Sequence, residues 1–332
     1  MYFFRIFYLG VVSILKGIIN IFKYFFIGLY NVIIFIPKYF IIGIMFIFGK
    51  KKKEENSAQN KKLSYAILGL SLSVYLVCVF LISRWYVQGL KIEYLSNDIL
   101  NSTEIIEEEE IIIEEDHNQD EQDNSTTNDY VYYPNDYWDY MNVPFINVNF
   151  DELINKNSDT VGWIKIDGTK VNYPIVQASD NDYYLNHAFN KSNNIGGWIF
   201  ADYRVDFEEF GKNTIIYGHN MNNKTMFGSV PDMLKDSYLN NNEHYIKIST
   251  PNSNTVWNVF SLYTIEPEVY YLKTNFKSEP YENFLNIIKG RSVHNFGLDV
   301  TTDDKVLTLS TCDNTGTKRV VVHAKMISIE YK

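Results

Sequence analysis

The stretch KVLTLSTCDNTGTKRVVVHAKMISI, residues 305–329, has the pattern of two apolar strands joined by a polar loop. Its outer parts, 305–310 and 319–329, are rich in β-branched and other apolar residues, whereas the loop carries Asp, Asn, Gly and Thr. Cys312 follows the first strand, so its thiol is predicted to lie at the rim of a sheet. Arg319 begins the second strand, and a strand–loop–strand path brings its guanidinium back beside the thiol.

More strand patterns precede this pair. They are VGWIKI (161–166), VNYPIV (171–176), WIFA (198–201), TIIYG (214–218), YIKIST (245–250) and TVWNVFSLYTI (255–265). About eight short strands separated by turn residues predict a mainly β domain over 146–332, a closed and largely antiparallel barrel with a few short helices. One short helix is predicted to begin near Asn149 or Asp151. A second is predicted over 279–289, with Ser278 as its N-cap.

An uncharged segment, SYAILGLSLSVYLVCVFLIS, occupies residues 64–83. A helix of about 20 residues spans about 30 Å, the thickness of the hydrocarbon core of a bilayer, so this segment is predicted to be a transmembrane helix. Residues 50–62 before it carry six lysines. This excess of positive charge predicts that the basic loop is cytoplasmic and that the chain beyond residue 86 lies outside the cell membrane.

The flanking segments have different compositions. Residues 1–49 are strongly apolar and are predicted to be membrane-associated, either as an interfacial helix or hairpin at the inner leaflet or as a second span. Residues 87–145 include EIIEEEEIIIEED at 104–116. They are predicted to form an acidic extracytoplasmic linker, because a block of like charges repels itself and stays extended.

The overall composition excludes several classes of function. A formal net charge of −10 argues against a nucleic-acid partner, which requires a basic face. No Walker loop or dinucleotide fingerprint occurs, so neither a cofactor nor a metal is expected. The two cysteines are Cys78, inside the predicted span, and Cys312. Cys312 therefore has no partner in the exported domain, which indicates either a reactive thiol or an intermolecular bridge.

Three residue types in the β domain suggest nucleophilic chemistry. A thiol becomes a strong nucleophile as a thiolate, which a nearby cation stabilises, although Cys312 at a strand end also suits a small buried side chain. His219 ends the strand pattern TIIYGHNM and would present an imidazole, the side chain that most readily exchanges protons near neutral pH. Arg319 offers guanidinium donors to a carbonyl oxygen or oxyanion, or is a surface residue.

His323 is the main rival to His219. It lies on the last predicted strand, on the same face as Arg319 and Val321, because alternate strand residues share a face. At about 3.3 Å per residue it would lie roughly 13 Å along the strand from Arg319. We therefore favour a packing role for His323.

The motifs TLSTC (308–312) and YGHNM (217–221), together with Arg319 heading RVVVHAK, resemble the signature segments of class B sortases. The segments 159–189, 196–204 and 226–230 resemble the barrel of this family in order and spacing, and the helix predicted over 279–289 resembles one that class B members carry between late strands. The resemblance covers residues 149–330.

The resemblance implies a membrane-anchored cysteine transpeptidase of Gram-positive bacteria, with its catalytic domain outside the cell membrane. Cys312 would attack a C-terminal sorting motif of a secreted protein and form a thioacyl intermediate, with His219 as acid and base and Arg319 as electrostatic helper. The amine of a lipid-linked peptidoglycan precursor would resolve the intermediate. Ser310 and Tyr217 would line the peptide groove or serve the fold.

Two other functions fit the same residues. A membrane-tethered cysteine endopeptidase would use the same site but release a hydrolysed product. A non-catalytic surface receptor built on a β-barrel would explain the anchor and the linker, but would give no role to a lone exported thiol near a cationic strand start.

Overall fold

The computed structural model describes residues 58–107, 143–240, 244–277, 280–312 and 316–332. The expectations for residues 1–49, for most of the basic loop 50–62, for the 108–142 part of the linker and for the cap Ser278 lie outside the described residues. The described residues belong to two compact units, one ending at Val77 and the other covering Cys78–Lys332.

A single long helix, α1 (Ala58–Ser102), contains the segment predicted to span the membrane. It is the one helix among the described residues that is long and apolar enough to cross a bilayer. Many of the large apolar side chains in the predicted span, including Leu72, Val74 and Phe80, are exposed. Such a surface is stable in hydrocarbon and unfavourable in water, which suits a transmembrane helix.

The helix continues beyond the point at which the linker was predicted to begin. Residues 87–102 are helical, and β1 (Ile105–Glu107) then pairs with β2 (Ile146–Val148) in a small antiparallel sheet. The helix continues through these residues because they carry an apolar stripe: Ile92 and Ile99 lie two turns apart on the helix and are buried. The like-charge repulsion that predicted a linker begins only after this stripe, at residue 104.

This part of α1 packs on loops of the β domain. The Cδ1 atom of Ile92 lies so close to Gly196 that a Cβ atom at that position would clash with it. The Asn194 side chain donates a hydrogen bond to the carbonyl of Gln88, at 3.2 Å. The Asn223 amide lies 3.5 Å from the carbonyl oxygen of Gly89. The helix is thus attached to the β domain by apolar and polar contacts.

Eight strands close into a barrel, which confirms the predicted fold class. The strands are β3 (Thr160–Ile166), β4 (Asn172–Val176), β5 (Phe200–Ala201), β6 (Asn213–Tyr217), β7 (Tyr245–Ser249), β8 (Ser253–Ile265), β9 (Val306–Cys312) and β10 (Arg319–Tyr331). Their order around the barrel is β10-β8-β7-β3-β4-β5-β6-β9. The β4–β5 and β6–β9 pairs are parallel, and the other pairs are antiparallel. The parallel β6–β9 pair brings two strand ends to the same rim.

Short helices complete the domain. They are α2 (Asp151–Lys156), α3 (Asp236–Leu239), α4 (Tyr281–Gly290) and 3₁₀ turns at Tyr183–Leu185, Val230–Leu234 and Tyr270–Leu272. Helix α4 lies where the late helix was predicted but begins at Tyr281, after Pro280 at its N-cap, and it buries Phe284 and Ile288 in a cluster with Phe260 of β8. The main core cluster combines side chains of the barrel strands with those of α1 and α2, and it includes the fully buried Trp163 and Trp257.

The core also contains a buried polar chain centred on His323, which is fully buried. Thr308 Oγ1 donates to Asn213 Oδ1 at 2.6 Å and lies 2.9 Å from His323 Nδ1. Because that hydroxyl has one proton, Nδ1 carries a hydrogen and Nε2 accepts from the Tyr263 hydroxyl at 2.9 Å. Burial, and secondarily the charge of Arg291, lowers the pKa of His323 to about 3. The imidazole is therefore neutral.

We expect Ile92→Ala to lower the free energy of unfolding of the β domain by about 2–5 kcal/mol, the usual cost of deleting a fully buried aliphatic side chain. Tyr94→Ala is the matched control, since Tyr94 lies on the same helix and is 76% exposed. Chemical denaturation of the detergent-solubilised protein measures both. An equal loss in the two variants would show that α1 is not packed on the domain as described.

The neutral His323 predicts acid sensitivity. The unfolded chain takes up a proton near the ordinary histidine pKa of about 6.5, whereas the folded chain does so near 3, so stability falls as pH drops through this window. The slope contributed by one such group is about 1.4 kcal/mol per pH unit. His323→Gln keeps a polar side chain that does not titrate and should flatten the stability curve by that amount between pH 6 and pH 4. Curves of equal slope would contradict a neutral buried imidazole.

Candidate active site

The register of the β9–β10 hairpin places Cys312 beside Arg319. Cys312, the last residue of β9, pairs directly with Arg319, the first residue of β10. Side chains directly opposite in an antiparallel pair lie on the same face with Cβ atoms about 5 Å apart. The Arg319 Nη1 atom accordingly lies 3.4 Å from the Cys312 Sγ atom. Both side chains are half-buried, so the thiol meets a cation and remains open to a ligand.

The neighbouring strand brings His219 to the same rim. Strand β6 runs parallel to β9 with Tyr217 opposite Ser310, and His219 follows two residues after the end of β6. The His219 Nε2 atom lies 2.7 Å from the carbonyl oxygen of Leu185. A carbonyl only accepts, so Nε2 carries the proton, which leaves Nδ1 as the ring nitrogen that can exchange a proton with a bound group.

A cleft of about 660 Å³ contains all three predicted catalytic side chains. Its lining residues are Asn181, Leu185, Phe200, Tyr217, Gly218, His219, Pro267, Glu268, Val269, Tyr271, Leu272, Ser310, Thr311, Cys312 and Arg319. Several of these are apolar and exposed, notably Val269 at 80% and Leu185 at 40%. Apolar lining with a few convergent polar groups is typical of a binding cleft.

The two predicted groove residues also line this cleft. The hydroxyls of Ser310 and Tyr271 lie 3.2 Å apart, and the Tyr217 hydroxyl donates to Asp202 Oδ2 at 2.8 Å. Burial raises the pKa of both tyrosines, and the carboxylate of Asp202 raises that of Tyr217 further. Both phenols are therefore neutral; Tyr217 donates to Asp202, and either hydroxyl of the Tyr271–Ser310 pair can donate.

The other histidines that the structure describes lie outside this cleft. His323 is enclosed in the core, where both ring nitrogens are engaged. His187 stacks on Tyr183 at a centroid distance of 4.1 Å, and its Nδ1 atom lies 2.7 Å from the Tyr183 carbonyl. The geometry thus brings His219, rather than His323, into one cleft with the thiol.

Some cleft features were not predicted from the sequence. Leu185 and the segment 267–272 supply most of the apolar lining, and loops of this kind show no periodic signal. Asp202, with a fully buried side chain, accepts hydrogen bonds from Tyr217 and Arg204 beneath the cleft. Its sequence signal was the run WIFADYR, in which a charged pair directly follows a buried strand.

The part of the chain that the structure describes holds no group of three or more His, Cys, Asp or Glu side chains close enough to bind a metal ion.

Comparison with known proteins identifies the family. A family model described as the sortase domain matches residues 164–327. Sortase B of Staphylococcus aureus (strain NCTC 8325 / PS 47) is 38% identical over 184 residues, which cover 54% of this chain and 75% of that protein.

Solved structures give the same result. A Bacillus anthracis protein described as similar to sortase B superposes with a TM-score of 0.50 at 40% identity, covering 55% of this chain and 83% of that one. A sortase B complexed with triglycine superposes with a TM-score of 0.50 at 37% identity, covering 55% and 85% respectively.

The family model covers most of the barrel that carries the cleft, and the relative from S. aureus is covered over three quarters of its length. A surface receptor without catalytic function is not favoured by these relatives. The chain therefore belongs to the sortase family, as a class B sortase, and is a cysteine transpeptidase.

Proposed function

We propose that Cys312, His219 and Arg319 carry out the transpeptidation. The observation that carries this proposal is the 3.4 Å contact between the Arg319 guanidinium and the Cys312 sulfur, in the cleft that also contains His219. A cation in contact with sulfur stabilises the thiolate, which is the nucleophilic form.

In the first half-reaction, the Cys312 thiolate attacks the carbonyl carbon of the threonine in a C-terminal sorting motif. The carbonyl π pair moves to oxygen, where the guanidinium of Arg319 donates hydrogen bonds to the developing oxyanion. The oxyanion then re-forms the carbonyl and the C–N bond breaks. Protonated His219 gives its proton to the leaving amine, and a thioester on Cys312 remains.

In the second half-reaction, an incoming primary amine attacks the thioester. His219 accepts a proton from that amine, Arg319 again binds the oxyanion, and Cys312 leaves as the thiolate, so the site returns to its starting state. The relative solved with triglycine supports an N-terminal peptide amine as acceptor. The acceptor proposed for this chain is the amine of a lipid-linked peptidoglycan precursor.

The donor substrate is proposed to be a secreted protein with a C-terminal sorting signal. A cleft of about 660 Å³ suits a short extended peptide, and its apolar side chains Leu185, Val269 and Leu272 suit an apolar part of that peptide. Ser310 and Tyr217 offer hydroxyls at the cleft and are proposed to contact the peptide.

The membrane helix fits this chemistry. The basic loop 50–62 is proposed to face the cytoplasm and the barrel to lie outside, where secreted clients and lipid-linked acceptors meet. Attachment to the same membrane raises the effective concentration of both substrates at the cleft.

Replacement of the site residues should separate their roles. Cys312→Ala is expected to abolish the covalent adduct with a sorting-motif peptide, which intact-mass spectrometry detects. His219→Ala should lower turnover by about 10²–10⁴-fold, the usual contribution of general acid–base catalysis. His294→Ala is the control, since His294 lies outside the cleft, and it should keep wild-type turnover. Cleavage of the peptide by the Cys312→Ala protein would refute the proposal.

The choice between transfer and hydrolysis is tested with an amine acceptor. Peptide cleavage in the presence of triglycine should give mainly the triglycine-linked product, whereas cleavage without it should be slow and give the free acid, because the thioester then waits for water. Mass spectrometry of the products measures the ratio. Rapid release of the free acid at the same rate with and without triglycine would instead indicate an endopeptidase.

A further inference from the structure

A buried carboxylate lies beneath the cleft. Asp202 directly follows β5, and its side chain has no exposed surface. Its Oδ1 atom accepts from Arg204 Nε at 2.8 Å and from the Arg204 backbone N–H at 3.0 Å. Its Oδ2 atom accepts from Arg204 Nη2 at 2.7 Å, Tyr217 Oη at 2.8 Å and Asn181 Nδ2 at 2.9 Å.

These donors keep the carboxylate charged. Burial by itself would raise the pKa of Asp202, but the hydrogen bonds from Arg204, Tyr217 and Asn181 lower it below its usual value. A charge without solvent is tolerated only when it is paired and its lone pairs are satisfied, and Asp202 meets both conditions.

The side chains that donate to Asp202 either line the cleft or contact a residue that lines it. Tyr217 and Asn181 line it directly. Arg204 extends past the carboxylate and donates from Nη2 to the backbone carbonyl of Leu272, at 3.1 Å, and Leu272 also lines the cleft. The carboxylate therefore links three separate segments of the cleft lining, although Asp202 is not part of that lining.

The orientation of each link is fixed by chemistry. The Asn181 amide cannot reverse without loss, because its Oδ1 atom accepts from the Tyr203 backbone N–H at 3.0 Å while Nδ2 donates to Asp202. The phenol of Tyr217 has one proton, and Asp202 accepts it. That bond leaves the lone pairs of the Tyr217 oxygen for a donor on the substrate.

We propose that Asp202 is a positioning residue for the sorting peptide, which sets the spacing of Asn181, Tyr217 and the Leu272 carbonyl before the substrate binds. It contacts neither the substrate nor the reacting atoms. This inference rests on the proposed function, because it concerns the peptide that the cleft receives. A buried ion pair is weak evidence for stability alone, whereas displacement of positioning groups by about 1 Å can cost about 100-fold in rate.

The test is Asp202→Asn in the full chain in detergent. The amide has the shape of the carboxylate but replaces one acceptor oxygen with a donor that faces Arg204, Tyr217 and Asn181. We expect the KM for a sorting-motif peptide to rise at least about tenfold, with a smaller change in kcat. The rate of Cys312 alkylation by iodoacetamide, which needs no peptide groove, should change less than about twofold. Hydrogen exchange should increase over residues 267–273.

The matched control is Asp304→Asn. Asp304 also forms an ion pair, with Lys325 at 3.1 Å, but its partners Lys325 and Thr301 do not line the cleft, unlike the partners of Asp202. This variant should keep the wild-type KM and the wild-type exchange over residues 267–273. A similar rise in KM in both variants would overturn the proposal.

A second variant covers the case in which Asp202→Asn does not fold. Arg204→Lys keeps the positive charge but loses the fork that reaches both Asp202 and the Leu272 carbonyl. It should raise KM and loosen residues 267–273 in hydrogen exchange.

Two results would overturn the proposal: unchanged KM and exchange in a folded variant, or a parallel fall in thermal stability, alkylation and kcat, which indicates a structural role only. If the wild type cleaves no sorting peptide, the proposed function fails. Hydrogen exchange over residues 267–273 still tests whether Asp202 holds this segment in place.

Discussion

The site depends on one register in one hairpin. Cys312 and Arg319 are directly paired across β9 and β10, and this pairing is the reason that the guanidinium nitrogen lies 3.4 Å from the sulfur. A slip of one residue would turn one of the two side chains to the opposite face of the sheet. The parallel pairing of β6 with β9 adds the imidazole, because it brings the end of β6, and with it His219, to the same rim.

Two buried titratable groups, one charged and one neutral, support this rim. Asp202 is charged because donors surround it, whereas His323 is neutral because burial and a nearby guanidinium disfavour the imidazolium. Both groups are connected by hydrogen bonds to the same segment of the cleft. Arg204, the partner of Asp202, donates to the Leu272 carbonyl. Asn213, which belongs to the polar chain of His323, donates to the Tyr271 carbonyl. The backbone of this cleft segment is therefore held from the domain interior by two polar networks.

The sequence predicted the parts that local patterns determine. Alternation and turn residues predicted the eight-stranded barrel, and the motifs around Cys312 and His219 predicted the side chains that share the cleft. The sequence pattern does not predict the continuation of α1 to Ser102, because the acidic stretch favours an extended chain and the stripe that holds the helix, Ile92 and Ile99, is short. The sequence pattern shows Arg204 two residues after Asp202 but not the whole cluster, because Tyr217 and Asn181 lie 15 and 21 residues away and reach Asp202 only in the folded barrel.

The proposed mechanism requires that the Cys312 sulfur, the His219 imidazole and the Arg319 guanidinium act on one acyl group in one cleft. A crystal structure of the protein modified by a sorting-motif peptidyl chloromethyl ketone tests this most directly. The peptide is expected to be bonded covalently to Cys312 and to lie in the cleft, with its carbonyl oxygen about 2.7–3.1 Å from Arg319 donors. A peptide bound on another face of the barrel, or an adduct carbonyl that points away from both Arg319 and His219, would contradict it.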